Sequence, residues 1–272
     1  MMTFLFWNIK KKPLQNAIGE LAEIHEVDVL ILAECEIERS DMLMQLNSRS
    51  DPSFSSPFSA SQRIDIYTRF PKRWLRSVAE EGDLSIRHFR NPISDLQILL
   101  VAAHLPSKLY LNNEDQMQLA PRWRQQIEDA EQAVGHKRTV VVGDLNMNPF
   151  DPGVTSGEGF HGLMDKRIAI RSSRKVLGKD RDFFYNPMWS LLGDESTGPP
   201  GTYYYDASSR PLNYYWHMFD QVLLRPELVP LFPSGELKIL TDAETNSLMN
   251  ARGIPDSREA SDHFPLLFRL NI

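Results

Sequence analysis

The chain has 272 residues, of which 42% are hydrophobic and 24% are charged, and its net charge at neutral pH is −6. This composition excludes a disordered chain, and the single cysteine, Cys35, excludes an internal disulfide and a metal site made of cysteines alone. A negative chain repels polyanions, so binding of nucleic acid requires a local basic patch. No apolar stretch approaches the ~20 residues of a membrane span, and no secretory signal pattern is present. The sequence therefore predicts a cytoplasmic protein with no membrane partner.

Short apolar runs of the β type alternate with helical segments along the chain. In the first half, strands are predicted over 3–9, 27–33, 64–70, 84–89 and 96–105, and helices over 13–26, 37–46 and 112–134. Pro121 either kinks the last helix or opens a second one. In the second half, strands are predicted over 139–143, 202–205, 216–224, 237–240 and 265–270, and the polar stretch Lys166 to Asp182 is predicted to be a long loop. The alternation is typical of an α/β fold, and without a convincing linker we expect a single domain over 1–272.

Several apolar strands end in polar residues of chemically useful types. In α/β folds, ligands gather just beyond strand ends, where side chains from several strands converge. Each such residue has an ordinary structural explanation when taken singly, such as closing a turn or starting a helix. Their occurrence together, in order along one chain, favours a site. The residues are Asn8, Glu34, His104, Asp144, Asn146, Asp220, Asp262 and His263.

This set suits metal-assisted hydrolysis of a phosphate ester. Asn8, Glu34 and Asp262 offer hard oxygen ligands and no thiolate, which favours Mg²⁺, or Mn²⁺, over zinc. The histidines and Asp144 can move protons or hydrogen-bond a phosphoryl oxygen. Such hydrolysis needs a cation on the phosphate oxygens, a base for water and a cationic donor for the developing charge.

Seven stretches extend this pattern from the first strand almost to the last. They are Phe6-Trp7-Asn8-Ile9, Leu32-Ala33-Glu34, Tyr67-Thr68-Arg69-Phe70-Pro71, Ala103-His104-Leu105-Pro106, Val142-Gly143-Asp144-Leu145-Asn146, Phe219-Asp220-Gln221-Val222-Leu223 and Ser261-Asp262-His263. In these stretches the sequence resembles the endonuclease/exonuclease/phosphatase superfamily, which includes pancreatic-type deoxyribonuclease and the abasic-site endonucleases. The resemblance implies a four-layer α/β sandwich, in which two mixed β-sheets pack face to face with helices outside. The site would lie at one end of that sandwich.

The resemblance also implies roles for the polar residues. It assigns the same three oxygen ligands to the divalent metal. Asp144 would align or deprotonate the attacking water, and Asn146 would bond to the phosphate. His263, oriented by Asp220, would contact the scissile phosphate and stabilise its charge. His104 would assist the leaving group or the phosphate, and which histidine is the acid stays open.

Two departures narrow the comparison. The inositol-phosphatase branch carries a Trp-Cys-Asp-Arg element around the position of Asp220. This sequence has His217-Met218-Phe219-Asp220-Gln221 there, which argues against that branch. No insertion of the abasic-site type can be identified. Asn148-Pro149-Phe150-Asp151 predicts a turn into a helix rather than further chemistry.

The substrate is indicated mainly by the stretch from Lys166 to Arg181, which carries seven basic residues and one acidic residue. It is either an ordinary solvated face or, since it lies between two site-forming strands in sequence, a contact for a polyanion. We therefore expect a nuclease acting on DNA or RNA. The alternatives are a phosphoesterase of the same fold acting on a lipid headgroup or small phosphate ester, and an inactive binding module. No apolar hairpin is recognisable, which argues against a membrane substrate.

Two further segments allow two interpretations each. The aromatic residues of 201–205 and 214–217 either pack as strands or form a stacking platform for a base or sugar. If one regular strand covers this region, His217 falls on the face opposite Asp220. The three lysines Lys10 to Lys12 contact a phosphate backbone or form an exposed loop.

Overall fold

The computed structural model describes residues 1–48, 53–57, 59, 61, 63–92, 96–209 and 211–272. Its strands are β1 (Met2–Asn8), β2 (Val29–Ala33), β3 (Ile64–Thr68), β4 (Leu75–Glu81), β5 (Leu84–Arg90), β6 (Gln97–His104), β7 (Thr139–Asp144), β8 (Gly162–Leu163), β9 (Ser173–Val176), β10 (Lys179–Asp182), β11 (Phe184–Tyr185), β12 (Tyr203–Tyr204), β13 (Trp216–His217), β14 (Asp220–Leu224), β15 (Leu237–Ile239) and β16 (Leu266–Leu270). Its α-helices are α1 (Gln15–Ile24), α2 (Arg39–Asn47), α3 (Asn113–Val134), α4 (Pro152–Thr155) and α5 (Lys166–Ala169). None of these helices is long and apolar enough to cross a bilayer.

Two large sheets dominate the fold, and both are mixed. The five-stranded sheet has the order β15-β16-β1-β2-β3, with β1 parallel to β2 and antiparallel to β16. The seven-stranded sheet has the order β4-β5-β6-β7-β14-β11-β8, with β6 parallel to β7 and β7 antiparallel to β14. Two separate hairpins, β9–β10 and β12–β13, lie outside the large sheets.

The core between the large sheets follows from the two-residue period of the strands. Phe4 of β1 stacks on its cross-strand partner Phe268 with ring centroids 4.7 Å apart, and both belong to one buried cluster with Val140 and Val142 of β7. Val141 belongs instead to a second cluster, which joins the other face of the seven-stranded sheet to α3. Because β7 is covered on both faces, its sequence is continuously apolar.

Helices cover the outer faces and complete four layers. The crossover from β1 to the parallel strand β2 contains α1, whose residues Ile18 and Leu21 are fully buried. On the other side, α3 buries Trp123 and Ile127 against the seven-stranded sheet. Pro121 lies inside α3, which continues through it as one helix. The predicted α/β sandwich with two mixed sheets face to face is confirmed.

The prediction of a long loop over Lys166 to Asp182 is wrong. This stretch forms α5 and the antiparallel hairpin β9–β10, in which Lys179 pairs with Val176. Leu177 and Gly178 form its two-residue turn with φ values of 48° and 82°, the left-handed conformation that hairpin turns favour. The hairpin strands are not covered by another layer, so no alternation of apolar residues marks them. Leu177 at the tip is 90% exposed, so an exposed apolar hairpin residue exists where the sequence indicated none.

The position of this basic hairpin also differs from the expectation. Its last residue, Asp182, forms an ion pair with Lys137, which precedes β7; the Lys137 Nζ lies 2.5 Å from Asp182 Oδ2. The next strand, β11, pairs with β14 at Leu224, the end of β14 that lies away from Asp220. A six-residue strand spans about 20 Å. The hairpin is therefore anchored at the end of the seven-stranded sheet opposite the predicted site.

Two other strand predictions need correction. The single strand over 216–224 is two strands in different sheets, because the backbone N–H of Met218 donates to Asn148 Oδ1 at 2.9 Å and leaves the ladder. Strand β4 was not predicted. Its register against β5 shifts between Ser77 and Ala79, and a bulge of this kind interrupts the apolar alternation that marks a strand.

Candidate active site

Six strand ends meet at one end of the sandwich. The carboxyl ends of β1, β2, β6 and β7 lie there, together with the amino ends of the antiparallel strands β14 and β16. The register pairs Asp144 with both His104 and Asp220. Asn8 shares a strand face with Phe4, so it points between the sheets. There its Nδ2 donates to Asp144 Oδ2 at 3.0 Å and joins the two sheets.

Glu34 is placed by the backbone just beyond β2. It has a φ of 50°, a left-handed conformation that turns the chain at the strand end. Its Oε1 accepts a 3.3 Å hydrogen bond from Asn8 Nδ2 and lies 3.4 Å from His104 Nε2. The hydrogen bond from His104 lowers the pKa of Glu34 to about 2, against the opposing effect of burial. Glu34 is therefore a charged carboxylate, and its side chain is still 31% exposed.

Asp220, His263 and Asp144 form a buried group beside Asn8. His263 Nδ1 lies 2.8 Å from Asp220 Oδ2, and its Nε2 lies 3.9 Å from Asp144 Oδ2. Burial alone would lower the pKa of His263, but the Asp220 carboxylate, helped by Asp144, raises it to about 10. Burial and the charge of Asp220 raise the pKa of Asp144. The group therefore pairs a charged imidazolium with a carboxylate that takes up protons more readily than usual.

The segment before β16 is tied to the end of β1, which fixes His263. Ser261 Oγ donates to the carbonyl oxygen of Asn8 at 2.6 Å and accepts from the backbone N–H of His263 at 3.2 Å. Trp7 Nε1 donates to the carbonyl oxygen of His263 at 2.8 Å. The ring of Tyr203 lies 4.7 Å from the imidazole. These contacts leave the imidazole little freedom to rotate away from its carboxylate partners.

Asn146 is held as part of the turn after β7. It has a φ of 49°, and its backbone N–H donates to Asp144 Oδ1 at 2.8 Å. The Asn146 Nδ2 donates to the carbonyl oxygen of Leu105 at 2.9 Å. Gln116 Nε2 donates to the backbone carbonyl oxygen of Asn146 at 3.0 Å. Gly143 precedes the turn, and a Cβ there would collide with the carbonyl oxygen of β6 beside it. Asn146 thus orients Asp144 directly, and Gln116 supports it.

The three residues expected to hold a metal do not share one contact. Asn8 and Glu34 touch each other, whereas Asp262 Oδ2 forms a 2.5 Å ion pair with Lys10 Nζ. Sequence reasoning missed the roles of Lys10, Gln116 and Thr202, whose Oγ1 accepts the backbone N–H of Asp220 at 3.1 Å. Only the run of lysines was a signal, and it did not indicate which lysine faces the site.

The donor set fits a hard divalent cation. Within the described ranges, Asp144, Asp220 and His263 place one potential ligand atom each within 4.8 Å of one another, but the charged imidazolium of His263 has no lone pair to offer a metal, so the oxygen atoms are the available ligands. The Glu34 carboxylate lies next to this group and is joined to it through Asn8 Nδ2, while Asn8 Oδ1 accepts the backbone N–H of Lys10. Asp220 Oδ1 is buried and has no hydrogen-bond partner among the residues that the structure describes, which is unusual for a carboxylate oxygen. Oxygen-rich sets of this kind suit Mg²⁺ or Mn²⁺.

An aromatic surface borders the site. The ring of His217 stacks on Phe219 at 4.6 Å, and its Nδ1 lies 3.2 Å from Asn148 Nδ2. Burial, reinforced by the charge of Lys108, lowers the pKa of His217 to about 4, so the ring is neutral. The placement on the face opposite Asp220 was expected for one regular strand and does not apply, because the strand is broken before Asp220. Beyond this cluster, three tyrosines are at least 43% exposed: Tyr205, Tyr214 and Tyr215.

Comparisons with known proteins identify relatives of this chain by sequence and by fold. A model of the Endonuclease/Exonuclease/phosphatase family matches residues 5–263. A search of curated proteins found no match. The endonuclease domain of TRAS1, a telomere-specific non-LTR retrotransposon, is 13% identical with a TM-score of 0.56, covering 100% of this chain and 99% of that chain. A mannosyl-6-phosphatase from Bacteroides thetaiotaomicron VPI-5482 is 13% identical with a TM-score of 0.59, covering 99% of each chain. A 3′ phosphatase from Neisseria, bound to product DNA hairpin, is 10% identical with a TM-score of 0.55, covering 100% of both chains.

Similarity at these identities shows the fold alone, whereas the family match extends over nearly the whole chain. Its span takes in every candidate residue of the site, from Asn8 to His263. Members of this family are hydrolases that act on phosphate esters and depend on a divalent metal. The chain belongs to the endonuclease/exonuclease/phosphatase family.

Proposed function

We propose that this protein is a divalent-metal-dependent phosphodiesterase, and specifically a nuclease that hydrolyses phosphodiester bonds of DNA or RNA. We further propose that residues 1–272 act as one catalytic domain. The observation that carries the proposal is the continuous set of short contacts at the strand ends. It runs from His104 through Glu34 and Asn8 to Asp144, and from there to His263 and Asp220.

In this proposal, Glu34 and Asn8 hold the divalent cation, whereas Asp262, the third residue expected to hold it, is paired with Lys10. Glu34 is suited to this role because it is charged at all physiological pH values and remains accessible at the end of β2. The bound cation supplies positive charge to the phosphate oxygens of the substrate. The Nδ2 of Asn8 bridges Glu34 and Asp144, so the cation site and the proton-accepting carboxylate keep a fixed spacing.

The remaining residues handle protons and charge. Asp144 accepts the proton of the attacking water, a role that its raised pKa favours. His263 in its charged form donates from Nε2 to a phosphoryl oxygen as negative charge builds there. Asp220 positions that ring through the 2.8 Å bond to Nδ1. Asn146 fixes the orientation of Asp144 and contacts the phosphate, while His104 assists the leaving group or the phosphate.

The nucleic-acid substrate is supported by the aromatic surface next to His263. Tyr203 contacts the His263 ring at 4.7 Å, and the exposed tyrosines Tyr214 and Tyr215 extend the surface away from the site. Aromatic rings that continue outward from a phosphodiester centre suit bases that stack beside the cleaved bond. Two structural neighbours, an endonuclease domain and a 3′ phosphatase bound to a DNA hairpin, act on nucleic acid.

A second candidate is a phosphoesterase of the same fold acting on a lipid headgroup or small phosphate ester. The anchoring of the basic hairpin at the far end of the sheet favours it, because the strongest basic stretch does not line the site. The neighbour that is a mannosyl-6-phosphatase acts on a small phosphate ester. An inactive binding module is disfavoured, since each expected catalytic position carries a suitable residue.

A substrate panel separates these candidates. The protein is first freed of metal with chelator and then assayed with Mg²⁺ or Mn²⁺ on single-stranded DNA, duplex DNA, RNA, a small aryl phosphodiester and a sugar phosphate. We expect metal-dependent cleavage of at least one nucleic acid, lost in Asp144→Asn. Cleavage of the sugar phosphate alone would favour the second candidate, and no hydrolysis of any substrate would contradict both a nuclease and an enzyme for small phosphate esters.

A further inference from the structure

Lys10 places a positive charge inside the candidate active site. Its Nζ lies 2.5 Å from Oδ2 of Asp262, a residue 252 positions later in the sequence. The Lys10 side chain is 50% exposed, whereas that of Asp262 is only 19% exposed. The Asp262 carboxylate is therefore largely buried, and the Lys10 ammonium group binds the oxygen atom that would otherwise be available to a metal.

The backbone directs Lys10 to this position. Lys10 and Lys11 have φ values of 48° and 59°, so two consecutive residues with side chains adopt the left-handed conformation. The N–H of Lys10 donates to Asn8 Oδ1 at 3.1 Å, and that of Lys11 donates to the carbonyl oxygen of Glu34 at 2.8 Å. Uncommon backbone conformations of this kind persist where the surrounding structure imposes them. Here the two residues that impose it are the proposed metal ligands.

The neighbouring lysines face elsewhere. Lys11 Nζ pairs with Glu36 at 2.7 Å on the surface, and both side chains are at least 60% exposed. Lys12 Nζ donates to the carbonyl oxygen of Arg258 at 3.1 Å. Of the three consecutive lysines, Lys10 is the one whose ammonium contacts a residue of the site. Lys10 is selected by the left-handed turn of the backbone at Lys10 and Lys11, because all three positions carry the same type of side chain.

We propose that Lys10 is a built-in cation of the active site, which binds the Asp262 carboxylate so that the site takes a single divalent cation at Glu34 and Asn8. The proposal rests on the divalent-cation site of the proposed function. Because like charges repel strongly at short range in a partly buried site, a second divalent cation at Asp262 must displace the ammonium group. A lysine ammonium has three N–H donors, and Asp262 accepts one of them, which leaves donors for a phosphate oxygen of the substrate.

The charge-reversed variants Lys10→Asp and Lys11→Asp test this proposal as a matched pair. Both change the net charge equally within one turn, and aspartate tolerates the left-handed conformation well. Isothermal titration of the chelator-treated, full-length protein with Mn²⁺ measures stoichiometry and affinity without substrate. We expect one Mn²⁺ per chain for the wild type and for Lys11→Asp, and two for Lys10→Asp. In Lys10→Gln, which removes the charge but adds no ligand, we expect Mn²⁺ to bind about tenfold more tightly.

The outcomes are distinguishable. Two Mn²⁺ ions bound by the wild type would overturn the role of Lys10 and leave the proposed metal site intact. One Mn²⁺ in every variant, with no gain in affinity for Lys10→Gln, would also overturn it. Absence of Mn²⁺ binding by the folded wild type, with circular dichroism as the check on folding, would remove the proposed metal site and the role of Lys10 together.

Discussion

His263 and Asp220 form a 2.8 Å hydrogen bond between a segment of the five-stranded sheet and a strand of the seven-stranded sheet. His263 lies just before β16, and Asp220 is the first residue of β14. Both side chains are at least 92% buried, so water does not screen their interaction. The bond therefore fixes the imidazole in its charged form and in one orientation.

Replacement of Asp220 by asparagine should lower kcat while metal affinity changes little. The variant keeps the shape of the side chain but removes the negative charge that raises the pKa of His263. His263 acts when protonated, so a lower pKa shifts the basic limb of the pH–rate profile to lower pH. Loss of one preorganised donor to the phosphate corresponds to about a 100-fold decrease in kcat. Steady-state kinetics over a range of pH, with Mn²⁺ titration, measures all three quantities.

Thermal melting is the control for that variant, because Asp220 also begins a buried strand. A folded Asp220→Asn protein with wild-type kcat and an unmoved pH profile would contradict the pairing. A loss of kcat explained by unfolding would be visible as a lower fraction of folded protein at the assay temperature.

Replacement of Glu34 by glutamine should weaken metal binding and reduce the rate. Glutamine retains the length of the side chain but cannot offer a charged oxygen to the cation. We expect the Mg²⁺ concentration for half-maximal activity to rise at least tenfold. Glu36→Gln is the matched control, because Glu36 pairs with Lys11 at the surface two residues away. Equal metal dependence in the two variants would show that Glu34 is not a ligand.

Replacement of basic residues in and next to the hairpin by glutamine should weaken the binding of long substrates only. Arg171 just before the hairpin and Lys175 and Lys179 within it are exposed, whereas Arg174 donates to His161 Nε2 at 2.9 Å and is left unchanged. The hairpin is anchored at the far end of the sheet, so only a long nucleic acid can reach both it and the site. For the triple glutamine variant, we expect a higher KM and a flatter salt dependence on a long duplex, with both unchanged on a short oligonucleotide. An identical salt dependence on the long duplex would leave the hairpin as a solvated surface.

Acid should destabilise the fold partly through His217. Burial and Lys108 lower its pKa to about 4 in the folded state, whereas an unfolded histidine has a pKa near 6.5. Between these values the unfolded chain binds a proton that the folded chain does not, so the free energy of unfolding decreases as pH falls from about 6.5 to about 4. His217→Asn keeps a polar side chain beside Asn148 but cannot titrate. Urea unfolding at several pH values should show a slope reduced by up to one proton, and an unchanged slope would contradict the lowered pKa.

The meeting of these residues at one end of the fold was predictable because each of them follows or precedes a short apolar strand. Asn8, Glu34 and Asp144 lie where a continuous run of apolar residues ends. A polar residue at such a position can be recognised in the sequence alone. Their convergence was expected from the rule that ligands lie at strand ends. Their assignment to individual roles came from the family resemblance, and those roles stay predictions.

What the sequence did not reveal depends on contacts between distant segments. Lys10 and Asp262 meet only because β1 and β16 are neighbours in the sheet. The break before Asp220 arises because the side chain of Asn148 captures a backbone N–H of the strand. The hairpin tip at Leu177 is set by two left-handed residues between polar strands, so no hydrophobic period marks it. In the first two cases the deciding partner is absent from the local sequence, and in the third no apolar pattern marks the strands.

The bond from Asn8 to Asp144 crosses between the sheets, as does the one from His263 to Asp220. Each sheet keeps its own backbone ladder, so an ångström of sliding between them would break both bonds and leave every strand paired. The buried cluster that packs Phe4 and Phe268 of one sheet with Val140 and Val142 of the other helps to set that spacing. The rate of hydrolysis therefore depends more sensitively on the relative position of the two sheets than the melting temperature does. Smaller side chains in the shared core should abolish hydrolysis under conditions where the protein is still folded.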